Sequence, residues 1–248
     1  MTMDFALRGK CAWVVGASGA IGGSVSMTLA QLGVSVWLSG RNEGKLQALQ
    51  ETLLKAGHAA KVVPLKEAAD FPRAVAAMVA AQQTPDLLVN STASPRFDSF
   101  DRLSDEHWDE VFEAKLLTYV RSMRAALPVM AGRGGAIINI SGRGGRQPSA
   151  THLAGGSMNA AVNLLTKGIS EAYREQGVRA NVVSPGPISS PRMGTLEAST
   201  VPTTEPSVLA RPGQTQDVAN AVAFLASPLA AHINGVILGV DGGGISAI

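Results

Sequence analysis

The stretch that most constrains the fold is Cys11-Ala-Trp-Val-Val15 running directly into Gly16-Ala-Ser-Gly-Ala-Ile-Gly22. A short apolar run, then three glycines spaced three apart, then Val25, Leu29 and Leu32 at helical spacing read as strand, tight turn and helix start. This is the first half of a βαβ unit. Glycines at 16, 19 and 22 let the backbone turn sharply and come close to a phosphate, whose charge then meets unpaired N–H groups and the positive end of the helix dipole. The spacing is GxxGxxG and not GxGxxG, so the turn by itself also fits an ordinary strand-to-helix connection.

The chain repeats this rhythm. A helix to about Gln31 leads into Val34-Ser-Val-Trp-Leu38, a second strand that ends at Ser39-Gly40-Arg41-Asn42. Asn42 to Lys55 reads as an amphipathic helix, Ala60 to Leu65 as a short third strand, and Phe71 to Gln82 as an Ala-rich helix. Pro85-Asp-Leu-Leu-Val-Asn90 is a fourth strand, ending in the small polar cluster Asn90-Ser-Thr-Ala-Ser94. Ser104 caps a long helix through about Met130, and Gly135-Ala-Ile-Ile-Asn-Ile140 is a fifth strand. Gly155 to Gln176 reads as a helix with Met158, Ala161, Val162, Leu165, Ile169 and Ala172 on one stripe. Val178 to Val183 and Val236 to Val240 complete the strands. Such alternation predicts an α/β fold, a single-domain doubly wound parallel sheet, Rossmann-like, of about seven strands flanked by helices over residues 1–248. Ser184 to Gly213, rich in Pro, Ser and Thr, is too long for a connector, which makes residues from about 189 to 212 a candidate substrate lid.

Bulk properties bound the partners. At 248 residues with 46% hydrophobic content, the chain has enough material for one large core. The formal charge is +2 and there is no Lys/Arg block, so nothing argues for nucleic acid or an anionic membrane as partner, and a small-molecule substrate is the partner expected. Apolar runs stay far below bilayer-spanning length. The single cysteine, Cys11, lies in an expected buried strand, and Met1 to Lys10 carries no basic-then-apolar leader, so the expected location is cytoplasmic. His58, His107 and His232 show no metal-ligand spacing, and no metal site is expected.

In a dinucleotide fold the end of the second strand faces the adenosine ribose, where an acid would hold a free 2′-hydroxyl and a cation would accept a 2′-phosphate. This chain offers Arg41 and no acid before Glu43, which favours NADP(H) over NAD(H).

With those residues placed, the chain resembles the short-chain dehydrogenase/reductase family over essentially its whole length. The resemblance rests on Gly16-Ala-Ser-Gly-Ala-Ile-Gly22, Asn90-Ser-Thr-Ala93, Ile138-Asn-Ile-Ser141, Asn181 with Pro185-Gly186-Pro-Ile188, and Val240-Asp-Gly-Gly243. Val15 stands for the usual Thr and Ala20 for the middle glycine. It implies that Gly16, Ser18, Gly19, Ala20, Ile21, Gly22, Arg41, Asn90, Pro185, Gly186 and Ile188 look onto the cofactor. It also implies a homotetramer or homodimer that pairs the helices at Ser104 to Met130 and Gly155 to Gln176, and a lid lined by Met193, Leu196 and Val208.

The same resemblance is unkind to the chemistry. The family's asparagine, serine, tyrosine and lysine fall at Lys115, Gly142, Gly155 and Asn159, so all four are replaced. Hydride delivery to a ketone creates an alkoxide that must be protonated or held by a donor as it forms, and losing either function costs decades of rate. Two substitutes stand nearby. His152 lies three residues before Gly155 and can give a proton near neutral pH, and Lys115 offers a cation on the preceding helix. Tyr119, one turn on from Lys115, is expected to pack in the core, and Arg143 and Arg146 fit either an anionic substrate or a merely solubilising role. Two readings follow: an NADP(H)-dependent oxidoreductase with a rebuilt acid, or an inactive nucleotide-binding homologue acting as sensor or partner subunit.

Overall fold

The computed structural model describes residues 4–93, 96–190, 209 and 211–244. Most of the expected lid, with Met193, Leu196 and Val208, lies outside them. Seven strands form one sheet in the order β3-β2-β1-β4-β5-β6-β7, every pairing parallel. They are β1 (Cys11–Val15), β2 (Ser35–Ser39), β3 (Ala60–Val62), β4 (Leu87–Asn90), β5 (Gly135–Ile140), β6 (Val178–Pro185) and β7 (Ile237–Val240). The helices are α1 (Ala20–Gln31), α2 (Glu43–Lys55), α3 (Asp70–Ala80), α4 (Asp105–Phe112), α5 (Thr118–Met130), α6 (Leu153–Ala172) and α7 (Thr215–Ala226). Strand order reverses between β1 and β4, which opens a crevice at their carboxyl ends.

Alternation along each strand divides the core. Ala12 and Val14 of β1 join Val25, Leu29, Leu38, Val89 and Ile138 on one face of the sheet, while Trp13 and Val15 join Leu88, Met123 and Ile137 on the other. Trp13 is fully buried and keeps its indole N–H satisfied on Ser39 Oγ at 2.8 Å, which donates in turn to Val63 O at 2.7 Å.

Two expectations are corrected. The strand expected at Ala60 to Leu65 is only three residues long. The long helix from Ser104 is interrupted between α4 and α5 by a π-helical segment, Glu113–Leu117, with Lys115 at its centre. Helix α7 has no counterpart in the sequence reading, although Gln214 and Asp217 form a reciprocal cap and Val218, Ala219, Val222, Ala223 and Leu225 are its buried side. The apolar stripe of α6 is only partly buried: Val162 is fully buried in the core, and Leu165 and Ile169 pack against it. The rest of the inward face is small and polar, with Gly155, Asn159, Asn163, Thr166 and Ser170 buried, whereas Met158, Leu165 and Ile169 are half-buried and Leu164 is 77% exposed.

Candidate active site

The turn after β1 is shaped so that only glycine fits at two of its corners. A Cβ on Gly16, whose φ is +91°, would lie 2.6 Å from Ser91 O, and one on Gly22 would collide with the carbonyl of Gly16. Gly19 is the N-cap of α1 and supplies no side-chain bond, and the first turn holds no acid. The amides of Ala20, Ile21 and Gly22 belong to that first turn, where a helix has no internal acceptor for them. The result is a positive, close-approach cradle suited to a pyrophosphate.

At the end of β2, Ser18 Oγ sits over Gly40, 3.0 Å from where a Cβ would stand. Arg41 is exposed and makes no ion pair among the described residues. The nearest acid in the sequence, Glu43, is drawn off by Lys66 at 2.6 Å, and Asn42 caps α2 by accepting from Lys45 N at 3.0 Å. A cation is therefore presented beside a hydroxyl with the local carboxylate already paired. Across the crevice, Pro185 ends β6 and is buried, Gly186 packs so tightly that a Cβ would be 2.8 Å from Asp241 Cβ, and Ile188 is buried and bridges Gly213.

The side chain of Asn90 turns into the core. It is fully buried, donates to Asn139 Oδ1 at 2.8 Å and accepts from Ser122 Oγ at 2.7 Å. Asn139 continues the chain to Thr166 Oγ1 at 2.9 Å, which donates to Val162 O at 2.6 Å. The side chain of Asn90 therefore fastens the ends of β4 and β5 to α5 and α6 and is not turned to a ligand. This network also explains the polar buried face of α6.

Lys115 is likewise turned inward. Only 5% exposed, its ammonium donates to Ile140 O at 2.8 Å and Ser141 O at 3.2 Å, and lies 5.3 Å from the centroid of the Tyr119 ring. Tyr119 is fully buried and donates to Ile140 O at 2.8 Å, with Thr92 O at 3.2 Å. Burial pushes its phenol above the ordinary tyrosine range, and its hydroxyl is already given to main-chain carbonyls. Together the two residues anchor the carboxyl end of β5.

Above that anchor, Gly142, Gly144, Gly145, Gly155 and Gly156 bring a loop and the start of α6 into backbone contact. A Cβ on Gly156 would lie 2.9 Å from Gly144 O, and one on Gly145 would lie 2.8 Å from Cβ of Asn159. Two side chains fill the space that the glycines leave. The imidazole of His152 folds over Gly155, so that a Cβ there would strike Nε2 and stand 2.8 Å from Cδ2 and Cε1; its other edge faces Gly144. Phe97 stacks on the ring at 4.4 Å with an interplanar angle of 15°. At Gly142 a Cβ would stand 2.9 Å from Nδ2 of Asn159, whose Oδ1 is buried without a hydrogen-bond partner, as are Ser141 Oγ and Ser184 Oγ. Neither the placement of the His152 ring nor that of the Asn159 amide was legible in the sequence.

Away from this crevice, a cavity of about 550 Å³ opens at the amino-terminal ends of the strands, lined by Lys10, Asp86, Arg133, Arg174 and Arg179 among others. It lies at the end of a parallel sheet opposite to the one where ligands bind. No cluster of three or more potential metal ligands occurs among the described residues, and no described helix is long and apolar enough to cross a membrane.

Comparison with known proteins decides the family. The family described as Enoyl-(Acyl carrier protein) reductase matches residues 16–244. The chain is a short-chain dehydrogenase/reductase. Relatives of this short-chain dehydrogenase/reductase include the 3-oxoacyl-[acyl-carrier-protein] reductase FabG of Rickettsia felis, 32% identical over 242 residues, covering 96% of this chain and 97% of the relative. FabG of Staphylococcus aureus is 34% identical over 243 residues, with 94% and 97% covered. Among solved structures, a gluconate 5-dehydrogenase from Burkholderia cenocepacia, in complex with NADP and tartrate, superposes with a TM-score of 0.90 at 27% identity, covering 99% of this chain and 98% of that one. L-sorbose reductase from Gluconobacter frateurii, complexed with NADPH and L-sorbose, shares the fold with a TM-score of 0.91 at 24% identity, covering 99% and 100%.

Proposed function

We propose that this short-chain dehydrogenase/reductase binds NADP(H) and interconverts a carbonyl and a hydroxyl group using His152, and not a tyrosine, as its proton donor. The observation that carries the reading is the imidazole lying over Gly155, in the volume into which a side chain at that position would project. The nucleotide fits the residues present: Gly16 and Gly22 leave room for the pyrophosphate, the uncapped start of α1 faces it, and Arg41 stands free of ion pairs among the described residues beside Ser18 for a 2′-phosphate.

Bound NADPH would supply a hydride to the carbonyl carbon. The rest of the chemistry belongs to the chain. His152, fixed between Phe97 and the two glycines, gives the proton that the developing alkoxide needs. Lys115 and Tyr119 hold the end of β5 and so position the loop that carries Gly142; Lys115 is a positioning residue here. The half-exposed apolar side of α6, with Leu164 outermost, supports assembly as a homodimer or homotetramer.

One observation favours a second reading, nucleotide binding without turnover. Glycines stand at 142 and 155, and Lys115 gives its ammonium to two main-chain carbonyls. Following NADPH absorbance with ethyl acetoacetate, diacetyl and L-sorbose separates the two. The oxidoreductase reading expects turnover that falls about 10²- to 10⁴-fold in His152→Gln with NADPH affinity retained. Tight NADPH binding with no consumption on any of these carbonyls supports the second reading.

A further inference from the structure

We propose that Asn159 is a substrate-touching residue whose amide Nδ2–H donates to the reacting oxygen from the space that a side chain on Gly142 would occupy. The inference rests on the oxidoreductase reading above and assigns that site a second donor.

Three observations carry it. The amide is where a position-142 side chain would be, since a Cβ there would stand 2.9 Å from Nδ2 and 3.5 Å from Cγ. It makes no hydrogen bond among the described residues although Asn159 is only 5% exposed, and its Oδ1 is buried and unpartnered. With Oδ1 drawn to no protein donor and Nδ2 given to no described acceptor, the amide is held by packing alone, and its N–H stays available to an acceptor brought to the carboxyl end of the sheet. Its stem is also clamped, because Gly145 presses on it so closely that a Cβ there would lie 2.8 Å from Cβ of Asn159. A donor fixed in advance stabilises developing charge without reorganising.

The two substitutes are neighbours. Positions 155 and 159 are one turn apart on the same face of α6, with Cβ sites about 5–6 Å apart. The imidazole lies over the first and the amide at the second points to Gly142, so the two flank one small volume above the end of β5. A carbonyl oxygen placed there meets both. As its carbon takes the hydride, the C=O π pair moves onto oxygen; Asn159 holds that pair through N–H without releasing a proton, and the His152 imidazolium gives the proton that completes the hydroxyl. The imidazole regains its proton from water, so the balance is carbonyl, NADPH and one proton to alcohol and NADP⁺.

The test measures NADPH affinity by fluorescence, and kcat and KM on whichever of ethyl acetoacetate, diacetyl and L-sorbose the parent turns over. Asn159→Leu should lower kcat about 10²- to 10³-fold while NADPH affinity stays within about twofold. Gly142→Ser alone should also lose kcat, because its Cβ is driven into the amide. Gly142→Ser combined with Asn159→Ala should return kcat to within about tenfold of the parent, because a hydroxyl then fills the same place. If that double variant does not fold, Asn159→Asp serves: its carboxylate repels the alkoxide, so kcat should be lost at neutral pH and regained as the pH falls and the group is protonated. An Asn159→Leu enzyme with unchanged kcat overturns the inference and leaves the oxidoreductase reading standing. Loss of NADPH affinity in step with kcat also overturns it, by moving the contact to the nucleotide. Tight NADPH binding with no turnover in the parent overturns the oxidoreductase reading, and this inference with it.

Discussion

The imidazole of His152 and the α-carbon of Gly155 are in direct contact, with Cδ2 and Cε1 of the ring each 2.8 Å from where a Cβ on residue 155 would stand. Replacing a helical glycine by alanine ordinarily gains up to about 1 kcal/mol. Here the sign reverses, because the methyl must displace a ring already stacked on Phe97, an overpacking that costs about 1–3 kcal/mol. Gly155→Ala should therefore lower Tm by about 2–10 °C, and His152→Ala in the same chain should recover most of it. Calorimetric melting checks this, and a Gly155→Ala protein as stable as the parent contradicts the placement.

Arg41 should decide the nucleotide. A charge-assisted contact to a phosphate contributes about 1.5–3 kcal/mol, which corresponds to about 10- to 150-fold in affinity. Arg41→Ala should weaken NADPH binding by that factor and leave NADH binding nearly unchanged. Equal losses for both nucleotides would mean that Arg41 does not read the 2′-phosphate.

Lys115 should matter for stability more than for proton transfer. Its ammonium is buried on Ile140 O and Ser141 O, and Lys115→Met keeps the stem while removing those bonds. A loss of about 1–3 kcal/mol is expected, seen as a lower urea midpoint, with NADPH affinity preserved. Unchanged stability with turnover abolished would return Lys115 to a catalytic role.

The thiol of Cys11 should be inert in the native protein. Burial first, and the nearby Asp86 carboxylate second, push it from its ordinary 9.0 to about 12. A folded pKa above the unfolded one means full stability below about pH 9, lost progressively as the pH rises towards 12. Iodoacetamide should label Cys11 at pH 8 only after unfolding; rapid native labelling would contradict its burial.

How much of this was legible in the chain differs by region for physical reasons. Gly16 and Gly22 could be read because the cause is local: the turn admits no Cβ, and the strand and helix on either side carry their own periodicity. The inward stripe of α6 could not, because Asn159, Asn163 and Thr166 look like a solvent face until Asn139 arrives from β5 and the loop at 142–145 closes on them. The side-chain network of Asn90 was hidden for the same reason, its partners Ser122 and Asn139 being 32 and 49 residues away. The π segment at Lys115 has no local signal in its residue types; it coincides with an ammonium reaching across to β5. His152 was legible as a candidate, but its position over Gly155 depends on glycines at 144 and 155 meeting in space.

The central claim is that the chain has kept a grip on a phosphorylated dinucleotide while its proton delivery has been rebuilt around His152. Isothermal titration of the protein with NADPH and NADH tests the first half, on which the second depends. The account predicts saturable binding of one NADPH per chain, at least about tenfold tighter than NADH. No heat of binding with either nucleotide, at concentrations where the protein remains folded, would contradict it.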